Sequence, residues 1–563
     1  MSRINTNVSS LIAQTSLGRS NAQLQTALSR LSTGLRINSG KDDPAGLIAS
    51  ENLRRDITAA DKAISNSERA NQLIATADSA LAQISSLLND IRGLTTEAAN
   101  SGVLSSEQIS ANQLQVDSSL DAIDRIASVT TFQGRKILDG SLDFTTSGSN
   151  PSITDLQINS ASLGTAGSVA VAVDITAAAT QASLNVSALA SKGQFTLGGQ
   201  TFTLTAAATG ETFNNVRVDI ASGAATGASY AAGVLTLTLD NTDAAITAAA
   251  VNAAFAADGT FTSTNSGAGT IDGTTTAAQT GITTAYTVHN LTFQLSGDNG
   301  AQVFSFNDGA TAAQIASAVN LVSDSTGISA AAASGALTFT STNYGTDAKV
   351  RAEIISESAL GTFAASLSGT SSSGTDIAAT VNGYTASGKG NTISLNNSAL
   401  NLDVTVSAGS TTDLAFTITG GGALFQIGPS VNSGGQVRIG VGAVNTGKLG
   451  GNSGRLYELK SGNAKDLNTD PTSAANVVDQ AITRVTGLRG RFGAFQHATL
   501  DTNIASLKDT ISNLSEAESS IRDADFAKES AALTRAQILV QSGTAVLQIA
   551  NQNPQQVLAL LRG

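Results

Sequence analysis

The sequence predicts a mixed fold, in which an α-helical coiled-coil or bundle core is formed by both chain termini and a β-rich central region is inserted between them and projects outward. Two observations carry this. The composition changes twice along the 563 residues. Apolar residues recur at helical spacing in both end segments and at strand spacing in the middle.

The end segments, residues 1–145 and 452–563, hold most of the charge and are rich in Ala, Leu, Gln, Ser and Asn. Between them, residues 145–450 are dominated by Ala, Gly, Ser and Thr, with 17 acidic residues against 7 basic ones. Five prolines, Pro44, Pro151, Pro429, Pro471 and Pro554, mark candidate boundaries, because proline removes a helical hydrogen bond.

In the first segment Ile4, Val8 and Leu11 form a short stripe. Leu17, Leu24, Leu28, Leu31 and Leu35 follow in steps of three and four once Asn21 is counted. After a break, Leu53, Ile57, Ala60 and Ile64 resume the period, and Ile84, Leu88, Ile91 and Leu94 continue it. Near the other end Leu500, Ile504, Leu507, Ile511, Leu514 and Ile521 repeat the pattern, with Glu518 the one polar member. A repeat of about 3.5 residues keeps one seam on one side of a helix. An ordinary bundle core explains any single stripe. Four stripes split between the two ends predict that the ends pack on each other as long helices.

The middle reads as strands. VLTLTL at Val234–Leu239 alternates apolar residues with Thr, and FTLGGQTFTL at Phe195–Leu204 places Gly198-Gly199 where a two-residue hairpin turn belongs. An internal repeat is visible. AVN occurs at Ala250–Asn252 and Ala318–Asn320, in each case expected to close an Ala-rich helix, and FTSTN occurs at Phe261–Asn265 and Phe339–Asn343. The unequal offsets predict two related units, about 195–275 and 290–356, that differ by a loop insertion.

Composition excludes several functions. With no cysteine, a catalytic thiol and a thiolate zinc site are impossible; the two histidines, His289 and His497, are too far apart in sequence to suggest a histidine-rich metal site. A formal net charge of -12 disfavours nucleic acid and anionic membranes as partners. MSRINTNVSS lacks the pattern of a secretory signal, and no apolar run approaches a membrane span. The expectation is a soluble chain without cofactor or metal, which, if it acts outside the cell, leaves without a cleaved signal.

LSTGLRINSGKDDPAG, Leu31–Gly46, resembles a phosphate-binding loop, and a nucleotide enzyme is the rival function it raises. Five residues separate Gly34 from Gly40 where the loop has four, Asp42 follows Lys41 where a hydroxyl belongs, and a heptad helix precedes instead of a strand. The better reading is a helix break: Gly40 as a left-handed cap, Asp42 or Asp43 capping the next helix, and Pro44 in its first turn. Arg36, Gly40, Lys41, Asp42, Asp43 and Pro44 then form a charged joint between two helical layers.

The last stretch is too apolar for a solitary helix. Leu533, Ala536, Val540, Gly543, Leu547 and Ala550 form one stripe, Leu539, Val546 and Ile549 lie off it, and Val557, Leu558, Leu560 and Leu561 cover most of the final turn. A helix apolar on several sides is buried on several sides. The expected cover is another copy, with Ala536, Gly543 and Ala550 allowing close helix approach. A membrane-surface helix would carry a Lys/Arg-rich polar face in place of the Gln, Ser and Asn found here. The predicted assembly interface is Leu24, Leu28, Leu31, Leu35, Leu533, Val540, Leu547, Val557, Leu558, Leu560 and Leu561.

INTNVSSLIAQ (Ile4–Gln14), LSTGLRINSGKDDPAGL (Leu31–Leu47), TTFQGRKILDG (Thr130–Gly140), SSIRDADFAKES (Ser519–Ser530) and the stretch from Ala536 to Gly563 together resemble the bacterial flagellins, subunits of the flagellar filament. FQIG at Phe425–Gly428 and VRIG at Val437–Gly440 resemble the family's hairpin before its C-terminal helices. The resemblance implies inner helices lining a filament at 1–44 and 516–563, and an outer helical domain with a β-hairpin at 45–147 and 424–515. It also implies a variable surface region at 148–423, whose repeats resemble the family's small inserted motif.

For function, the resemblance implies a self-polymerising, extracellular motility protein with no enzymatic activity. Such a subunit is exported unfolded through a type III apparatus and added at the tip beneath a filament cap. The implied partners are hook-junction proteins, the cap, the export apparatus and a chaperone on the C-terminal helix; a hook–filament junction protein of the same family is the alternative reading. An innate immune receptor of animals recognises family members through the helix that here carries LNDIRGL, matching at Leu88, Arg92 and Leu94. Asp90, Gly93 and Gln115 depart from the receptor-activating pattern.

Overall fold

A computed structural model describes residues 6–100, 103–148, 150–164 and 166–560, with side chains described as far as residue 552. Its helices are α1 (Val8–Thr33), α2 (Pro44–Ala98), α3 (Ser106–Val129), α4 (Ala248–Asp258), α5 (Ala312–Asn320), the single turns α6 (Ser323–Thr326) and α7 (Phe363–Ser366), then α8 (Pro471–Ala494), α9 (Thr502–Arg522) and α10 (Phe526–Leu560). The chain divides into two compact units, residues 1–144 with 421–563 and residues 145–420.

The first unit is helical, and local chemistry sets its boundaries. Asn7 caps α1 by accepting from the Ser10 amide, and α1 ends on Gly34 at φ 73°, whose N–H returns to Arg30 O. The left-handed cap is therefore Gly34, six residues before Gly40, the expected one; Gly40 is not among the positive-φ residues. The apolar period stops too early to carry the helix to Gly40: Leu35 already pairs as an isolated bridge with Asp523. Asp43 caps α2 and Pro44 opens it, as Asp470 and Pro471 do for α8. Ser105 and Gln108 close a capping box on α3. Pro554 lies inside the span of α10, not at an edge, so the helix continues past the hydrogen bond that proline removes. The C-terminal helices break after Arg522, where Asp523 takes an extended conformation.

The outer part of this unit is densely packed. Ile74, Leu81, Ile84, Leu88 and Ile91 of α2 meet Val116, Leu120 and Ile123 of α3 and Val477, Val485, Leu488 and Phe492 of α8, nearly all without exposed surface. Removing one such side chain from water contributes about 1.5–3 kcal/mol. Gln113 ties α3 to the loop before α8, donating to Leu459 O and accepting from Leu467 N. Arg489 to Asp78 and Arg92 to Asp479 bridge α8 and α2. Two hairpins close the outer part. Thr131–Phe132 pairs with Arg135–Lys136 around Gln133-Gly134, both at positive φ, and Ala423–Gln426 pairs with Gln436–Ile439.

A π-helical turn, Phe495–Asp501, joins α8 to α9, and beyond it the core thins. Between α2 and α9 only Ala60, Ala63 and Leu507 form a buried cluster.

The second unit is β-rich. Ile153–Ala161 joins Leu400–Val406, Thr392–Asn396 and Ser387–Lys389 in one antiparallel sheet, and Val169–Ala177 lies between Ala378–Val381 and Leu414–Gly421 in another. A second body is built on the hairpin Ala190–Leu197 and Gln200–Thr209. Its turn is Gly198-Gly199, both at positive φ, and its core holds Phe202, Leu235, Phe255 and Phe261. Val234–Asp240 alternates buried and half-buried residues along its length. A third body gathers Phe293, Ile315, Phe339 and Phe363. Surface charge is sparse here, and buried alternation does the folding.

The two AVN strings need correcting. AVN closes α5, but α4 runs on from Asn252 to Asp258. Both asparagines instead fasten their helix to the next strand: Asn252 bonds Asn265 and Ser263, and Asn320 exchanges two bonds with the backbone of Ala330. The strand following α4 is Phe261–Ser266, which carries FTSTN; the one following α5 is Ile328–Ala333, and the second FTSTN begins on the strand after that. The unequal offset is thus an extra strand, not an inserted loop, and the two FTSTN strings are not equivalent.

Candidate assembly surface

α1 and α10 pack against each other along their lengths, and small side chains decide how closely. On α1 the buried positions are Ser10, Ala13, Ser20 and Ala27, the last three spaced by seven. On α10 Glu529, Ala536 and Ala550 are buried and Gly543 completes the same seven-residue line. A Cβ added at Gly543 would meet Leu17 Cδ1 at 3.2 Å, so the helices approach closely enough there that a side chain at 543 would make Leu17 shift. Polar contacts fasten the ends of the pair. Arg30 Nη1 donates to Glu529 Oε1 at 3.1 Å, Asn7 Nδ2 donates to Ala550 O, and Ser10 Oγ donates to Asn551 Oδ1.

Because small residues fill the seam, the large ones stand outside it. Leu24, Leu31, Leu35, Leu533, Val540 and Leu547 are half-buried flanks, and Leu28 is exposed. Leu11, Ile12, Ile538, Leu539, Val546 and Ile549 are exposed as well. Leu561 lies outside the described residues, as do the side chains of Val557, Leu558 and Leu560. No helix among the described residues is long and apolar enough to cross a membrane, and none of their acidic or histidine groups forms a cluster that could hold a metal ion.

The joint after α1 is not a free loop. It lies against the joint between α9 and α10: Arg36 N donates to Arg522 O at 2.7 Å, Ala524 N donates to Gly34 O at 2.9 Å, and the Arg36 guanidinium donates to Ile521 O. Ile37 is buried beneath. Asp42 accepts from the Asn38 and Ser39 amides and the Ser39 hydroxyl; these bonds, the Ser39 amide foremost, hold its carboxyl below the usual carboxylate range. Asp43 accepts from Gly46 N at 2.9 Å, while Gly40 and Lys41 are exposed. The phosphate-loop reading therefore fails on geometry too, since Asp43 itself occupies the amide at the start of α2 that an anion would need.

Arg522 is the joint residue that sequence reasoning missed. Its guanidinium meets Glu51 at 2.9 Å and lies 4.0 Å from Glu518, spanning α9 and α2. Glu529 and Arg30 were missed as well. Glu529 lies seven residues before Ala536, which was the available signal.

The LNDIRGL residues divide. Leu88 has no exposed surface and is a core residue, which corrects its assignment as a receptor contact. Arg92 is engaged by Asp479 at 2.7 Å and by Thr96, and Leu94 packs half-buried on the core.

Comparison with known proteins agrees with this architecture. Residues 4–143 match the bacterial flagellin N-terminal helical region, residues 475–561 the bacterial flagellin C-terminal helical region, and residues 290–343 the flagellin hook IN motif, which falls on the second of the two units read as repeats. A flagellin of Salmonella choleraesuis is 30% identical over 568 residues, covering 99% of both chains. A B-type flagellin of Pseudomonas aeruginosa is 41% identical over 168 residues, 29% of this chain and 34% of that one. Among solved structures, the D2-D3 domains of the flagellar cap protein FliD from Escherichia coli align with a TM-score of 0.24 and 11% identity over 49% of this chain and 97% of that one, too distant to bear on the fold. With helices from both chain ends paired, a β-rich segment inserted between them in the sequence, and a relative matched from end to end, the chain belongs to the bacterial flagellin family, structural and non-enzymatic subunits of the flagellar filament.

Proposed function

We propose that this chain polymerises with copies of itself through the outward apolar faces of α1 and α10, forming the shaft of an extracellular filament used for swimming. One observation carries the reading: the seam of the pair is closed by Ala, Ser and Gly, so Leu11, Ile12, Leu28, Ile538, Leu539, Val546 and Ile549 remain uncovered. A run of large apolar side chains along one helix pair is costly in water and is covered by neighbouring subunits in a filament. Leu24, Leu31, Leu35, Leu533, Val540, Leu547, Val557, Leu558, Leu560 and Leu561 extend the same interface. The joint of Arg36, Gly40, Lys41, Asp42, Asp43 and Pro44 sets the angle between inner helices (1–44 and 516–563) and outer ones (45–147 and 424–515).

Family membership supports the remaining steps. The subunit leaves unfolded through a type III export apparatus, is held on its C-terminal helix by a chaperone beforehand, and joins the tip beneath a cap, with hook-junction proteins at the filament base. End-to-end coverage of flagellins favours the filament subunit over the junction protein. The test is removal of Ala536–Gly563, followed by sedimentation and electron microscopy. Loss of filaments with the outer helical core still folded is expected; long filaments from the truncated chain would overturn the proposal.

A further inference from the structure

The seam between α1 and α10 poses a problem of register. Ala13, Ser20 and Ala27 face a partner line in which Ala536, Gly543 and Ala550 also recur every seven residues. Sliding one helix by seven residues replaces small with small, so close packing alone hardly distinguishes the native alignment from its neighbours. The polar contacts do distinguish them. Arg30 faces Glu529 in an antiparallel pair. A slide of seven in one direction sets Arg30 level with Ala536, and in the other it sets Glu529 level with Gln23. Glu529 is 9% exposed and Arg30 is half-buried, so either slide leaves a buried carboxylate and a half-buried guanidinium without their counter-charges.

We infer that the Arg30–Glu529 ion pair is a specificity determinant that selects one register for α10 on α1, acting beside the joint bonds of Gly34 and Arg36 to Ala524 and Arg522, with Asn7 and Asn551 holding the far end. This rests on the self-assembly reading for its consequence: register decides which large apolar residues of the two helices lie side by side on the surface offered to neighbours. A seven-residue error would preserve the helices and the seam but misalign Leu11, Ile12 and Leu28 against Ile538, Leu539, Val546 and Ile549. Both residues act through the helices that they align, as positioning residues.

The chain has no cysteine, so disulfide trapping has no background. A Cβ at Gly543 lies 3.7 Å from Leu17 Cβ, inside the separation of about 3.5–4.5 Å that a disulfide spans. Leu17→Cys is combined in the full-length chain with Gly543→Cys for the native register, or with Ala536→Cys or Ala550→Cys for the two slides. Internal cross-links, which migrate as a monomer on a non-reducing gel, are scored apart from intermolecular ones in soluble and sedimenting fractions. The 17–543 cross-link should dominate, and Glu529→Ala should shift yield toward 17–536 and 17–550 on the order of tenfold. Arg30→Glu with Glu529→Arg should restore the native pattern, while Lys528→Ala leaves it unchanged. An unshifted ratio in Glu529→Ala overturns the inference, because packing and the joint bonds then fix the register without the ion pair. Equal loss at all three positions also overturns it, because the pair would then hold the helices together without choosing between alignments. Sedimentation of the unsubstituted chain is read separately, so a failure to polymerise would sink the self-assembly reading and leave the register result standing.

Discussion

The outer part of the helical unit and its terminal pair are built from the same elements and finished differently. Around α2, α3 and α8 the large residues point inward, with Leu81, Ile84, Leu88 and Ile91 fully enclosed. Between α1 and α10 the inward residues are Ala, Ser and Gly, and the large ones point out. One region therefore completes its hydrophobic burial within the chain, whereas the other keeps large apolar side chains on its surface, the ones offered above for self-assembly.

The sharpest way to break this contrast is to truncate one large residue in each region. Leu88→Ala should cost about 2–5 kcal/mol of unfolding free energy through the cavity that it leaves. Val546→Ala, at a position 54% exposed, should change monomer stability by less than about 0.5 kcal/mol yet raise the concentration needed to polymerise. Denaturant titration and sedimentation, run on both variants, separate the two effects. A comparable loss of stability in both would erase the distinction.

The next effect lies at the cap. Gly34 sits at φ 73°, so Gly34→Ala should cost about 1–2 kcal/mol of local helix stability. Gly40→Ala, with an added Cβ no closer than 3.7 Å to Leu47 Cδ2, should be nearly silent. Amide exchange near the end of α1 reads both, and equal effects would refute the cap assignment.

Smaller changes in folding are expected at the joint. Arg36→Ala, or Asp42→Asn with Asp43→Asn, should alter filament shape while leaving global stability nearly unchanged, as exposed charges do. Electron microscopy and motility assays of normal appearance would exclude the joint from shape control.

The smallest effects concern acid, and the two regions should respond with opposite signs. The folded state depresses the Asp42 pKa, so its stabilisation is present above the unfolded value near 3.8 and is lost as pH falls through the lower folded value. Burial raises the Asp143 pKa, so the folded state binds the proton more readily there; stability rises as pH falls from the folded value toward the unfolded one. Asp42→Asn should blunt acid loosening of the joint, and Asp143→Asn should remove the gain and leave the chain more stable at neutral pH. pH-resolved thermal melts of both variants check the signs.

Much of this contrast was legible in the residues. Periodicity placed helices at both ends, and Asp43-Pro44 and Gly198-Gly199 announced a cap and a hairpin turn because their backbone preferences are local. The excess of apolar residues off the α10 stripe, Leu539, Val546 and Ile549, also proved to be exposed surface. What stayed hidden depends on the partner. Leucine stripes marked the flanks of the α1 seam, while its interior is the Ala–Ser line, since closeness of backbones is a property of two helices. Choosing between Gly34 and Gly40 required knowing that Leu35 and Arg36 bond across to Asp523 and Arg522. Leu88 matched a surface motif, but α3 and α8 enclose it. Arg522, and the pairing of Arg30 with Glu529, join positions hundreds of residues apart; the spacing to Ala536 marks Glu529, but no local pattern names its partner.

Where the helical unit opens to admit the central segment, the chain leaves beside the place at which it returns: Gly422 N donates to Asp143 O at 3.0 Å, and Leu142 bridges Val441. A gap already closed by the frame makes the frame nearly indifferent to how much chain is spliced into it. Loop-closure entropy grows only logarithmically, by about 0.6 kcal/mol for each doubling of length. The site is thus a socket. Inserts of very different size can be exchanged there at small thermodynamic cost to the helices, which frees the length of the central segment from the packing of the frame that holds it.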